Sequence, residues 1–247
     1  METIKNLINS FLSLFVNQRY SQQVIIQPAE PAKEPVKIIP VNPQRKRFTE
    51  YSEKRKKLLN PWNSQRNNKY SPSGACNVTT VQVLLSLDYP NVTDDDIFLL
   101  CNSQQVRNII EKKYPVDFKS WIWKFYRDNC ANEVYVCMIE AVKIIMGSEL
   151  FVRMECSLTA EKVKREIDAG YAVFACGSFG FKGHIVAIIG YDDEKKVWIV
   201  NDSYGSKNTN YKNINGDSVE YSYSWMTIPG YINSTSILIH PDKRNPF

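Results

Sequence analysis

Gln65, Cys76, His184 and Asp202 are of types that, brought together, would carry out nucleophilic acyl transfer. A thiol is only partly ionised at neutral pH, so a cysteine nucleophile needs a base that takes its proton and later returns it to the leaving amine. The chain has only 2 histidines, so that base is His184 or His240. His184 follows Gly183 at the head of the apolar run HIVAIIGYDD. His240 sits beside Pro241 near the C-terminal end and is read as structural. An imidazole base needs a partner that fixes its tautomer, and Asp202 ends the next apolar run, VWIVND. Charge developing on the carbonyl oxygen would be met by the Gln65 amide and by the Cys76 backbone N–H.

Each of these residues has a blander reading when taken alone. Cys76 would be a buried thiol, as the other five cysteines are read from their apolar surroundings, and Asp202 would be a turn aspartate. Cys76 differs because a turn-rich stretch ending Ser73-Gly74-Ala75 delivers it to the start of an apolar segment. If that segment is a helix, its N-terminal dipole and open N–H groups favour a thiolate. The β-branched Val78, Thr79, Thr80, Val81 and Val83 leave the helix undecided on propensity.

The elements that must hold these groups come in two blocks. Helices are expected after Thr93, whose three following aspartates suit a helix N-terminus ahead of IFLLCNSQQVRNIIEKKY, and over NEVYVCMIEAVKIIMG, with Val134, Met138, Ala141, Val142 and Ile145 on one face. A third is expected over SLTAEKVKREIDAG. Strand patterns follow: YAVFACGSF, HIVAIIGYD, KVWIVNDSYG and STSILIH. The turn DDEKK would join the middle two as an antiparallel hairpin whose register can set His184 beside Asp202. Helices first and sheet later give an α+β class, a helical part packed on an antiparallel sheet.

These stretches resemble the C39-like group of papain-type cysteine peptidases. The resemblance rests on Gln65-Arg66-Asn67-Asn68, Cys76-Asn77-Val78-Thr79, Gly183-His184 through Gly190-Tyr191-Asp192, and Asn201-Asp202-Ser203-Tyr204-Gly205. It covers roughly residues 60–240. It implies a papain-like fold, Cys76 as nucleophile, His184 as base, Asp202 as its orienter and Gln65 as oxyanion donor. No cofactor is expected, and with 2 histidines and no CxxC pair no metal site is expected either. Asn67 stands where the family often has Asp, and Ser203 where Pro is common. The second change is expected to loosen the turn after Asp202.

Outside that stretch, residues 1–20 read as an amphipathic helix through Ile4, Leu7, Ile8, Phe11, Leu12 and Phe15. Residues 21–57 read as a Pro-rich and then basic linker, with the peptidase-like domain at 58–247. The formal net charge of +5 gathers in the first 60 residues, with 11 basic against 5 acidic side chains. This arm is expected to meet a protein partner or an anionic polymer, with no specific nucleic acid. The N-terminal segment is a poor secretory signal and too short to span a membrane, so the chain is expected to be made in the cytoplasm and to be virion-associated or released by lysis. A bacterial or phage-encoded enzyme acting on peptide or peptidoglycan is the expectation. A catalytically idle domain serving as a component of a larger particle is the alternative. The aromatic clusters around Trp121 and Trp225 are read as core, groove or shielding residues.

Overall fold

A computed structural model describes residues 47–113, 133–147, 151–155, 158–177, 184–223 and 236–240. Its centre is β5 (His184–Asp192), nine residues all buried. A strand apolar on both faces must be covered on both, which makes β5 the middle of the sheet. One edge of β5 pairs antiparallel with two strands placed end to end. β4 (Val173–Gly177) takes the His184 half, and β2 (Arg55–Leu58) takes the half from Gly190 to Asp192. Along the other edge run β6 (Val197–Asn201) and then β7 (Val219–Ser222), while β1 (Phe48–Tyr51) flanks β2. All six strands are antiparallel to their neighbours.

α1 (Cys76–Leu85) packs against β5, with the Thr80 hydroxyl donating to the Ile185 carbonyl at 3.3 Å. Its β-branched residues are tolerated because they are buried: Val78, Thr79, Thr80, Val81 and Val83 all lie in the interior. Each buried aliphatic side chain is worth about 1.5–3 kcal/mol, which outweighs helix-propensity differences of a few tenths. α2 (Asp94–Cys101) opens on a full capping box between Thr93 and Asp96. The expected continuation to residue 113 is broken at Asn102–Ser103, and α3 (Gln104–Lys113) begins anew. There the Asn102 side chain donates to the Phe98 carbonyl, and Ser103 Oγ accepts the Val106 N–H, ending one helix and capping the next.

α4 (Glu133–Met146) buries two sides. Tyr135, Met138, Ile139, Val142 and Met146 face the main core, while Val136 and Ala141 join Val106 and Ile110 of α3 in a second cluster. α5 (Ala160–Asp168) starts at the Thr159 cap, and Gly170 beyond it lies at φ +90, the left-handed region that favours glycine. β3 (Phe151–Glu155) and β8 (Ser236–His240) form a separate two-stranded sheet. His240 ends β8 against Glu166 of α5 at 2.5 Å, with its ring stacked on Tyr171 at 4.2 Å, a tie between sheet and helix.

The architecture is α+β, with helices packed on an antiparallel sheet. The linker expected to run to residue 57 is corrected at its end: residues 48–58 supply two strands of the sheet. The basic run fails as a free arm for a physical reason. Arg47 pairs with Asp88, Lys54 with Glu194, Arg55 with Glu50, Asp192 and Glu220, and Lys56 with Asp168. Leu58, 1% exposed, anchors β2 in the core by about 1.5–3 kcal/mol, more than an exposed pair such as Lys54–Glu194 supplies at about 0–1 kcal/mol. Residues 1–46, including the expected amphipathic helix, lie outside the described residues, as do the aromatic cluster at 118–126 and Trp225. Among the described residues no helix is long and apolar enough to cross a membrane.

Candidate active site

Cys76 is the first residue of α1 and half-buried. The loop that delivers it is wound on Asn68, whose Oδ1 accepts the N–H groups of Tyr70 and Ser71 at 3.0 and 2.8 Å. A turn from Ser71 to Gly74 follows, closed by a 2.9 Å backbone bond. Ala75 occupies the N-cap and has no side chain able to cap, so the first N–H groups of α1 stay open toward the site. The Val78 N–H is taken by the Asn77 side chain at 2.8 Å.

His184 lies across from this helix start. Its Nε2 is 2.7 Å from Asp202 Oδ1, and Cys76 is a further hydrogen-bonding partner of the ring. With Nε2 committed to Asp202, Nδ1 is the nitrogen left for the sulfur. Burial alone would push the imidazolium pKa down. The hydrogen bonds and charges of Asp202 and Cys76 outweigh it, and the pKa is raised to about 10.

The contact between His184 and Asp202 depends on a bulge in the hairpin. Near the turn, Gly190 pairs with Ile199; after an irregularity at Ile189, Ile188 pairs with Val200 and Ala187 with Asn201. Asp202 then comes level with Val186, two residues from His184 and on the same face. The unshifted register would have set Asp202 level with Ala187, on the opposite face, because side chains alternate along a strand.

Asp202 is fully buried and held at every polar atom. Its Oδ1 also accepts the Tyr204 N–H at 3.0 Å, and Oδ2 accepts the Tyr221 hydroxyl at 2.8 Å. Its backbone N–H donates to the Gly216 carbonyl at 2.9 Å, and its carbonyl accepts from Trp62 Nε1 at 2.8 Å. Burial, and then the Asp202 charge, push the Tyr221 phenol far up, so it stays a donor. Gly216 is needed by close approach, since a Cβ there would lie 1.9 Å from the Asp202 carbonyl oxygen.

Gln65 is 2% exposed, in a 3-10 turn over Gln65–Asn67. Its Nε2 donates to the Pro72 carbonyl at 3.3 Å, and its Oε1 accepts the Ser203 hydroxyl at 2.9 Å. Its backbone N–H donates to the Ser203 carbonyl. The amide thus bridges the loop before Cys76 and the residue after Asp202. Ser203, expected to loosen its turn, is instead buried and fixes which end of the Gln65 amide carries the N–H groups.

Two tyrosines stand edge-on around the imidazole. The Tyr204 and Tyr211 ring centroids lie 6.2 and 6.1 Å from that of His184 and 5.3 Å from each other. Tyr211 sits at φ 62 directly after Asn210 at φ 51, a left-handed pair that is costly for a bulky side chain. The Tyr211 phenol is pushed up by burial and by the neighbouring Asp202 and Cys76 groups.

The structure therefore brings His184, Asp202 and Cys76 together and sets Gln65 beside them. Tyr221, Trp62, Gly216 and Tyr211 were not anticipated. Their positions carry no motif of their own, and only the fold brings residues 62 and 211–221 to Asp202. Gly183 lies outside the described residues. Among the described residues no group of three or more His, Cys, Asp or Glu side chains is placed to hold a metal ion.

A family model described as Peptidase_C39 like family matches residues 58–231. No curated protein and no solved structure gives a significant match.

Proposed function

We propose, from the premise that this chain belongs to the Peptidase_C39 like family, that it hydrolyses peptide amide bonds with Cys76 as nucleophile, His184 as acid and base, Asp202 as orienter and Gln65 as oxyanion donor. Family membership supports a cysteine peptidase in general terms. The observation that carries the finer assignment is a single imidazole bonded to a fully buried carboxylate on one side and to the thiol at an uncapped helix start on the other.

In the first step the Cys76 S–H proton passes to His184, the sulfur attacks the carbonyl carbon, and the carbonyl π electrons move to oxygen. The oxyanion meets the Cys76 N–H and the Gln65 Nε2 hydrogen not used at Pro72. As the intermediate collapses, the C–N bond breaks and the doubly protonated His184 gives a proton to the leaving amine. The neutral ring then takes a proton from water, whose oxygen attacks the thioester, and the acid product leaves with Cys76 regenerated. Asp202 holds the ring by its Nε2 throughout, which keeps Nδ1 turned to the sulfur.

The test is iodoacetamide labelling near neutral pH, read peptide by peptide. Cys76 is expected to react well ahead of Cys101, whose thiol burial pushes up to about 12. Equal slow labelling of both would refute an activated nucleophile. Hydrolysis of casein and of purified cell walls, each compared with Cys76→Ala, then separates protein from peptidoglycan crosslinks as the peptide substrate. Loss of turnover in the variant on either one is the expected result.

A further inference from the structure

The rim of the site holds two cations with no carboxylate partner among the described residues. Arg66 directly follows the oxyanion donor Gln65 and is exposed. Its guanidinium lies 4.1 Å over the Tyr204 ring, and its Nε and Nη2 donate to the Tyr204 carbonyl at 3.4 and 3.2 Å, which leaves Nη1 uncommitted. Lys207 is half-buried, with Nζ 6.0 Å from the Tyr211 ring centroid. Both tyrosines are those packed against His184. Six other cations of the domain, Arg47, Lys54, Arg55, Lys56, Lys164 and Lys195, are each paired with an acid.

We infer that Arg66 and Lys207, seated on Tyr204 and Tyr211, form a subsite for a carboxylate of the substrate next to the scissile bond, so that acidic peptides are preferred. The inference rests on the proposed peptidase reading and adds a substrate class to it. Three features support it. The tyrosine faces position the cations without neutralising them. Arg66 retains a donor for an incoming oxygen. The strained Asn210–Tyr211 backbone fixes a Tyr211 ring that lies 6.0 Å from the Lys207 Nζ and 6.1 Å from the imidazole.

Small alkylating agents test this without a known substrate. Iodoacetate and iodoacetamide both form an S–C bond to Cys76 and expel iodide, but only iodoacetate brings a carboxylate. The ratio of their rates at Cys76 is expected to exceed that at free cysteine and to fall toward it as salt rises. The imidazolium contributes to this ratio as well, so the rim variants decide. Arg66→Gln and Lys207→Gln are expected to lower the ratio about threefold each, and Arg66→Glu and Lys207→Glu roughly tenfold. Lys112→Glu on α3, the same change of net charge far from the site, is expected to leave it unchanged.

A ratio insensitive to both rim positions overturns the inference, as does a salt-independent ratio in the unmodified protein, which does not depend on any variant folding. Failure of Cys76 to react ahead of Cys101 with either reagent refutes the peptidase reading instead. Protection of Cys76 by N-acetylglutamate α-amide or by N-acetylglutamine, against the neutral N-acetylglutamine amide, distinguishes a side-chain from a terminal carboxylate. Equal protection by all three overturns the inference.

Discussion

Gly216→Ala tests whether the Asp202 position depends on a backbone approach remote in sequence from every motif. Gly216 does not lie in the left-handed region, so alanine is admissible there on backbone grounds, and the whole effect comes from the added methyl. That methyl would sit 1.9 Å from the Asp202 carbonyl oxygen and 2.8 Å from its carbonyl carbon, so the two segments must separate by about 1.1 Å to reach even 3.0 Å. If Asp202 yields by that amount, its 2.7 Å contact with His184 opens beyond hydrogen-bond range. If the 213–218 loop yields, the buried Asp202 N–H loses its 2.9 Å acceptor. Overpacking of this kind costs about 1–3 kcal/mol, which for a domain of this size lowers Tm by roughly 2–12 °C.

The second readout is the pH profile of Cys76 alkylation. Asp202 helps to raise the His184 pKa, so its displacement moves the basic limb of that profile to lower pH. A variant with the parent Tm and the parent profile would refute the claim that this contact sets the carboxylate.

Ser203→Ala removes the donor that orients the Gln65 amide. Peptide turnover is expected to fall about tenfold, short of the 10²–10³ seen when an oxyanion donor is deleted, while alkylation of Cys76, which forms no oxyanion, changes less than twofold. His184 links stability to pH with a definite sign. Its folded pKa of about 10 exceeds the ordinary 6.5, so its contribution is fully present below pH 6.5 and is lost as pH rises through 10. Tm should therefore decline over that window by more in the parent than in His184→Gln. Removing residues 1–46 is expected to leave a folded domain. Removing residues 1–57 strips β1 and most of β2 from β5 and should give insoluble protein, read by size-exclusion chromatography.

The chemistry was legible because its groups sit in short strings whose local structure is self-contained: a glycine turn before Cys76, an apolar run after His184, and a turn after Asp202. The strands β1 and β2 were not, because FTEY and RKKL carry charge at positions that look solvated. Arg55 and Lys56 of β2 find acids contributed by residues 168, 192 and 220, and pairings that distant leave no local trace. The run from Asp94 to Lys113 read as one helix because its apolar residues continue past Asn102 and Ser103, whose side chains bond to the backbone and end the helix there. Ser203 is illegible for a related reason. A serine in place of a proline signals added backbone freedom locally, whereas its hydroxyl acts on a residue 138 positions away.

The bulge at Ile189 shows where such reading reaches its physical limit. Register is recognisable in a strand with one wet face, because a one-residue slip would turn apolar side chains into water. β5 is buried on both faces, so its sequence has no alternation to mark an inserted residue, and the slip costs little burial. Gly190 adjoins it because β2 crosses so closely that a Cβ there would lie 2.3 Å from the Lys56 carbonyl oxygen. The strand best able to absorb a change of register is thus the one that carries His184. The alignment of His184 with Asp202 is therefore set by the insertion of Ile189 rather than by the 18-residue spacing between them.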